Sequence, residues 1–94
     1  MITSRLNKES LRLITRTTEL AAGDIIVWCP KNSDSMYYKT VTKQTPKGLK
    51  ASYQFFRRVV TDTGRIYYKH KLNGVLQKFS YWLPKEQARE QLWT

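Results

Sequence analysis

The sequence has one cysteine and one histidine in 94 residues. Cys29 cannot close a disulfide within the chain. That sets it apart from small secreted domains with an even cysteine framework and gives the expectation of a reducing, cytoplasmic setting. Cys29 and His70 cannot make a zinc cage, and no aspartate cluster is spaced like a calcium loop, so no metal or other cofactor is expected. The four glycines are scattered, each at a turn, which excludes a glycine-rich phosphate loop. Long apolar runs are missing too. The longest, Ile25-Ile26-Val27-Trp28, is far short of a bilayer span. No basic stretch followed by an apolar one opens the chain, so neither a membrane segment nor a signal peptide is expected. Acidic residues number only seven, and no two are spaced as a general acid–base pair. Cys29 follows a buried strand and reads as a core or near-core thiol, and His70 as a hydrogen-bonded histidine at the barrel edge. No catalytic set emerges, and the chain is not expected to be an enzyme.

What is present is apolar substance and positive charge. Apolar residues make up 40% and aromatics 13%, too rich for a disordered basic tail. The length suits one domain, residues 1–94, with a small core and modest stability. The net charge is +10, and residues 38–78 hold +9 of it. In that segment Lys39, Lys43, Lys47, Lys50, Arg57, Arg58, Arg65, Lys69, Lys71 and Lys78 face Asp62 alone. Such crowding opposes folding unless an anionic partner relieves it, and solubility would not require it.

There are no repeats or linkers. Residues 1–20 read as an N-terminal helix or extension. Thr3 or Ser4 can cap a helix striped by Leu6, Leu11, Leu13 and Ile14, whereas Thr15, Thr17 and Thr18 favour extended backbone from Arg12 onward. Residues 21–83 read as a β-barrel. A turn at Ala21–Asp24 precedes a buried strand, Ile25–Trp28, which Pro30 ends before the polar loop Lys31–Ser35. Further strands follow over Met36–Thr45 and Tyr53–Val60, with turns at Pro46-Lys47-Gly48 and Thr61–Gly64. Arg65–Leu72 and Val75–Leu83 then flank Asn73-Gly74, the strongest short hairpin signal. Residues 84–94 read as a C-terminal helix opened by Pro84 and anchored by Ala88, Leu92 and Trp93. The expectation is a mainly β fold: a five-stranded SH3-like barrel or bent antiparallel sheet with short N-terminal and C-terminal helices. An OB fold would need a helix where only Thr61–Gly64 lies.

The Asn73-Gly74 turn fixes a register by counting back. Leu72 opposes Val75, His70 opposes Gln77, Tyr68 opposes Phe79 and Ile66 opposes Tyr81 on an apolar face. On the other face Lys71 opposes Leu76, Lys69 opposes Lys78, Tyr67 opposes Ser80 and Arg65 opposes Trp82. Like charges directly across a sheet are destabilising. A face carrying Arg65, Lys69, Lys71 and Lys78 with Tyr67 and Trp82 offers cations to phosphates and flat rings to bases or sugars. Arg57 and Arg58 point to opposite faces. A four-residue loop at Thr61–Gly64 puts Arg58 with Tyr67 and a three-residue loop puts Arg57 there; we assign Arg58. Lys43, Lys47 and Lys50 surround the Pro46–Gly48 turn and extend the patch as a phosphate-contacting loop.

The stretch Leu20-Ala21-Ala22-Gly23-Asp24-Ile25-Ile26-Val27-Trp28 resembles the beginning of the first barrel strand in SH3-like domains of the KOW and Tudor-like kind, where a Gly-Asp turn leads into an apolar strand. Gly23–Trp28 with Pro30 also resembles the start of MazF-type ribonuclease toxins, which share an SH3-like core. Those toxins carry an Arg-Pro pair leading into the next strand, and their catalysis leans on that arginine. Here the corresponding stretch is Tyr37-Tyr38-Lys39-Thr40-Val41, with neither residue.

The leading expectation is a non-enzymatic nucleic-acid-binding domain that contacts backbone phosphates with weak sequence preference. Duplex DNA is slightly favoured over RNA because few exposed aromatics are in evidence. The alternative is a small interaction or inhibitor protein, of the kind phages and mobile elements carry, docking an acidic patch on a partner protein. A MazF-like toxin is a lesser alternative. Membrane binding is not expected, since no strongly amphipathic basic helix is present.

Overall fold

The structure is a computed structural model that describes residues 8–31 and 35–92. The helix cap expected at Thr3 or Ser4 and the anchor expected of Trp93 lie outside the described residues, as does the side chain of Leu92. The strands are β1 (Arg12–Leu13), β2 (Ile25–Trp28), β3 (Tyr37–Thr45), β4 (Gly48–Ala51), β5 (Gln54–Val60), β6 (Ile66–Leu72), β7 (Val75–Phe79) and β8 (Tyr81–Leu83), followed by helix α1 (Lys85–Leu92). They form one eight-stranded antiparallel sheet in the order β1-β8-β2-β3-β4-β5-β6-β7. β1 and β7 are its outer strands, so the sheet is bent but not closed. A mainly β, bent antiparallel sheet with a C-terminal helix is present; the five-stranded barrel is not.

The extra strands have physical causes. Leu6 of the helical stripe lies outside the described residues; from Lys8 to Ile14 the stripe gives way to a 3-10 turn at Lys8–Ser10 and to β1, which pairs with β8. Threonine hydroxyls compete with helical hydrogen bonding just beyond: the Thr15 N–H donates to Thr18 Oγ1 at 3.0 Å. β4 lies between two tight turns and pairs with both β3 and β5. The long strand read over Val75–Leu83 breaks at Ser80. β7 stays with β6, while β8 crosses to pair with β2 and β1.

β2 is apolar without alternation because both of its faces are covered. Ile26 joins the main core with Leu49, Phe56, Ile66, Tyr68 and Phe79. Ile25 and Val27 point the other way, into a second cluster with Leu83 and Ala88 of α1. Phe56 and Phe79 meet edge to face, with ring centroids 5.2 Å apart. Cys29 packs at the rim of the second cluster. The His70 ring lies 4.9 Å from that of Phe56, and its Nδ1 donates to the Phe55 carbonyl at 3.1 Å.

Asp24 ties the pieces together. Its side chain is 7% exposed. Oδ2 accepts the Ala21 N–H at 2.8 Å, and Oδ1 accepts the N–H of Lys85, the first residue of α1, at 3.0 Å. A carboxylate distant in sequence thus caps the helix and satisfies one of its orphan donors. The Asp24 backbone carbonyl also accepts the Val41 N–H at 2.8 Å, joining the same turn to β3. Asp24→Ala is expected to lower the unfolding free energy by about 2–4 kcal/mol in urea titrations, because it strands two donors. Asp24→Asn, which keeps one acceptor, is expected to cost about half as much. Equal midpoints for Asp24→Ala and the parent would refute the capping role.

Candidate nucleic-acid interface

The convex face of the sheet from β3 to β7 is built by register alone. Residues directly opposite across antiparallel strands share a face. Arg57 stands opposite Lys69, and Lys69 opposite Lys78, so three cations form a row across β5, β6 and β7. Lys43 stands opposite Lys50 on β3 and β4. Lys71, two residues beyond Lys69 and opposite Leu76, adds a sixth cation. Adjacent strands lie ~4.8 Å apart, so Arg57–Lys69, Lys69–Lys78 and Lys43–Lys50 are like-charge contacts that disfavour the fold. Between Tyr38 and Lys78 the only acidic residue is Asp62, which sits in the turn after β5.

Aromatic and apolar groups are set among the charges. Lys78 Nζ lies 5.7 Å from the Tyr67 ring centroid, a cation–π contact that holds the ring on this face. Phe55, opposite Lys50, is 44% exposed. Its ring extends over Gly48: a Cβ there would come within 2.9 Å of Phe55 Cζ and collide with the Phe56 carbonyl. The Thr45 hydroxyl donates to the Gly48 carbonyl at 3.0 Å and accepts the Gly48 N–H at 3.1 Å, which stiffens the turn carrying Lys47. Lys47, Pro46, Phe55, Arg57, Arg58 and Val60 line an open hollow of about 440 Å³.

The placements expected from sequence divide sharply. Lys69, Lys71, Lys78 and Tyr67 occupy the face as read, and exposed Arg65 flanks it just before β6. Arg57 takes the place assigned to Arg58. The Thr61 N–H donates to the Arg65 carbonyl and the Gly64 N–H to the Thr61 carbonyl, leaving a three-residue loop, Asp62-Thr63-Gly64. Arg58 stands opposite Tyr68 instead, on the side of the core, and borders a second hollow with Thr18, Gln44, Thr45 and Pro46.

Trp82 leaves the face because of the break at Ser80. It pairs with Ile26 and Arg12 rather than Arg65, packs against the main core, and has the Arg12 guanidinium 5.6 Å above its ring. For the same reason Tyr81 pairs with Val27 and Leu13, not Ile66. Arg65 bridges to Thr15. Lys43 and Lys50 are strand residues in a directly opposed pair rather than loop residues, because Gly48–Ala51 is a strand. Lys47 alone remains in the turn.

The aromatics are also more exposed than the sequence indicated. Phe55 and Tyr53 both reach solvent, which removes the ground for preferring a duplex. Among the described residues no group of three or more His, Cys, Asp or Glu side chains is placed to hold a metal. No helix among them is long and apolar enough to cross a membrane. Comparison with protein-family models, curated proteins and solved structures finds no match to this chain.

Chemically, the face can neutralise several phosphates at once and offer rings between them. Replacing Lys43 by Glu turns a repulsive pair with Lys50 into an attractive one. Lys43→Glu is expected to raise stability by about 0.5–1 kcal/mol at low salt. The gain should shrink at about 0.5 M salt, where the screening length is only a few Å. Denaturant titrations at the two salt concentrations check this; a loss of stability at low salt would show that the pair is not repulsive.

Proposed function

We propose that this protein is a non-enzymatic nucleic-acid-binding domain that grips backbone phosphates with the convex β3–β7 face. The observation that carries the reading is the row Arg57–Lys69–Lys78 beside the pair Lys43–Lys50, like-charged neighbours on rigid strands. A fold that keeps such pairs together gains from a polyanion, because binding relieves repulsion the free protein carries. Arg57, Lys69, Lys71, Lys78, Lys43 and Lys50 contact phosphates, with Arg65 and Lys47 at the margins. Tyr67 and Phe55 lie against sugars or bases. The Gly23-Asp24 turn leading into β2 and the strong curl of the sheet are in keeping with an SH3-like relationship. An acidic surface on a protein partner is the competing ligand for the same cations.

Binding to a labelled duplex is expected to fall steeply with salt, with a log–log slope of about −4 to −5 for five or so phosphates neutralised. The double variant Lys69→Glu/Lys78→Glu should flatten that slope by about two units and weaken binding at every salt concentration. Fluorescence anisotropy over a salt series on duplex DNA, single-stranded DNA and RNA reads both quantities. Absence of binding to all three at low salt would remove nucleic acid as the ligand and leave the acidic partner.

A further inference from the structure

We propose that Tyr53, at the tip of the β4–β5 hairpin, is a stacking platform for an unpaired base, so that the ligand of the basic face is single-stranded nucleic acid. The inference rests on the nucleic-acid reading of that face and adds which strand type it takes.

Among the described residues, two two-residue hairpin turns have positive φ at both central positions. In one, Asn73 and Gly74 have φ of 51° and 80°. These are the residues that such a turn prefers, since both central positions require positive φ. In the other, Ser52 and Tyr53 adopt φ of 51° and 64°. A bulky residue in the left-handed region is uncommon and strained. Tyr53 gains no packing in return: its relative exposure is 105%, as open as a residue in an extended chain. Tyr37, another exposed tyrosine, differs in having its ring 5.1 Å from that of Trp28. Folding alone therefore favours Asn-Gly where this chain has Ser-Tyr. Strain held without a structural return is a mark of function.

The surroundings say what the ring meets. The turn joins Lys50 and Phe55, which are paired across β4 and β5 on the basic face. Tyr53, Ser52, Lys50 and Thr42 line an open hollow of about 330 Å³. A flat ring beside an ammonium group and hydroxyls suits a nucleotide, with the base on the ring and its phosphate toward Lys50. Only a strand with free base faces can use the ring in this way, because bases within a duplex are already stacked on their neighbours. DNA and RNA share this chemistry when unpaired.

The test uses the intact chain and labelled oligonucleotides of about 12 nucleotides, oligo-dT and oligo-rU, with a matched duplex. Ser52→Asn/Tyr53→Gly installs the preferred turn and is expected to melt about 3–8 °C higher than the parent. The same variant should bind the single strands about tenfold or more weakly while its duplex affinity changes by less than about twofold. Tyr53→Phe, which keeps the ring, should bind single strands within about twofold of the parent. A 2-aminopurine in the strand should be quenched by the parent and by Tyr53→Phe but not by the Asn-Gly variant.

Unchanged single-strand affinity in the Asn-Gly variant would overturn the proposal. So would an equal loss on single strand and duplex, or a parent that binds duplex alone. In those cases continued sensitivity to Lys69→Glu/Lys78→Glu would leave the phosphate-binding reading standing. Failure of the parent to bind any of the probes would overturn both. The oligo-dT and oligo-rU arms separate DNA from RNA as the source of the unpaired base.

Discussion

Where the chain leaves β7 after Phe79, it departs from β6, and Ile14 fills the vacated position. The Ile14 N–H donates to the Ser80 carbonyl at 3.0 Å, and its carbonyl accepts the Ile66 N–H at 3.1 Å. Without that residue, a donor and an acceptor would be left open beside the main core, a cost that native folds avoid. The Ile14 side chain is itself buried in that core. One residue thus satisfies the backbone on two sides and fills apolar volume between them. It lets β8 cross to β2 while β7 stays with β6, and the sheet curls. The curl closes Leu49, Phe56 and Phe79 inside and turns the alternate residues of β5 and β6 outward. The basic face is the outer consequence of an inner packing requirement.

The parts legible in the sequence were those set by local chemistry. Asn73-Gly74 dictates its own turn, so the pairings from Leu72–Val75 to Tyr68–Phe79, including Lys69 with Lys78, follow by counting. Beyond Phe79 counting fails, because the departure at Ser80 is decided by what β2 and Ile14 offer, and nothing in Ser80-Tyr81-Trp82 announces it. Trp82 was lost from the face for that reason. Arg57 and Arg58 exchanged places over a single residue in the length of one loop, since a side-chain period of two inverts the face. Lys43 and Lys50 were legible as cations but not as a pair. Gly48–Ala51 is short, and its strand character comes from neighbours on both sides.

Asp24 shows another kind of partial legibility. A Gly-Asp turn before an apolar strand was visible, but the carboxylate's partner on α1 was not. Capping a helix from across the fold leaves no spacing signature. That carboxylate is buried and satisfied by backbone donors, while six cations stand together on the solvated face of β3–β7. The two kinds of charge therefore play different parts: the acidic group specifies the fold, and the basic groups work against it.

The dimensions of that basic surface bear on how selective it can be. Three neighbouring strands place Arg57, Lys69 and Lys78 along about 10 Å, and Lys71 lies about 7 Å further along its own strand from Lys69. The Cα positions are fixed by the ladder, yet lysine heads move on flexible stems and act as point charges without directional preference. Such an array matches many phosphate spacings about equally well, which gives affinity and position but little sequence information. Selectivity must then come from groups whose orientation is fixed. On this face those are the rings of Tyr67, held against Lys78, and Phe55, seated over a glycine. On the proposed reading, a cationic floor edged by rings suits a chemical class, a polyanion with flat faces, more readily than a sequence.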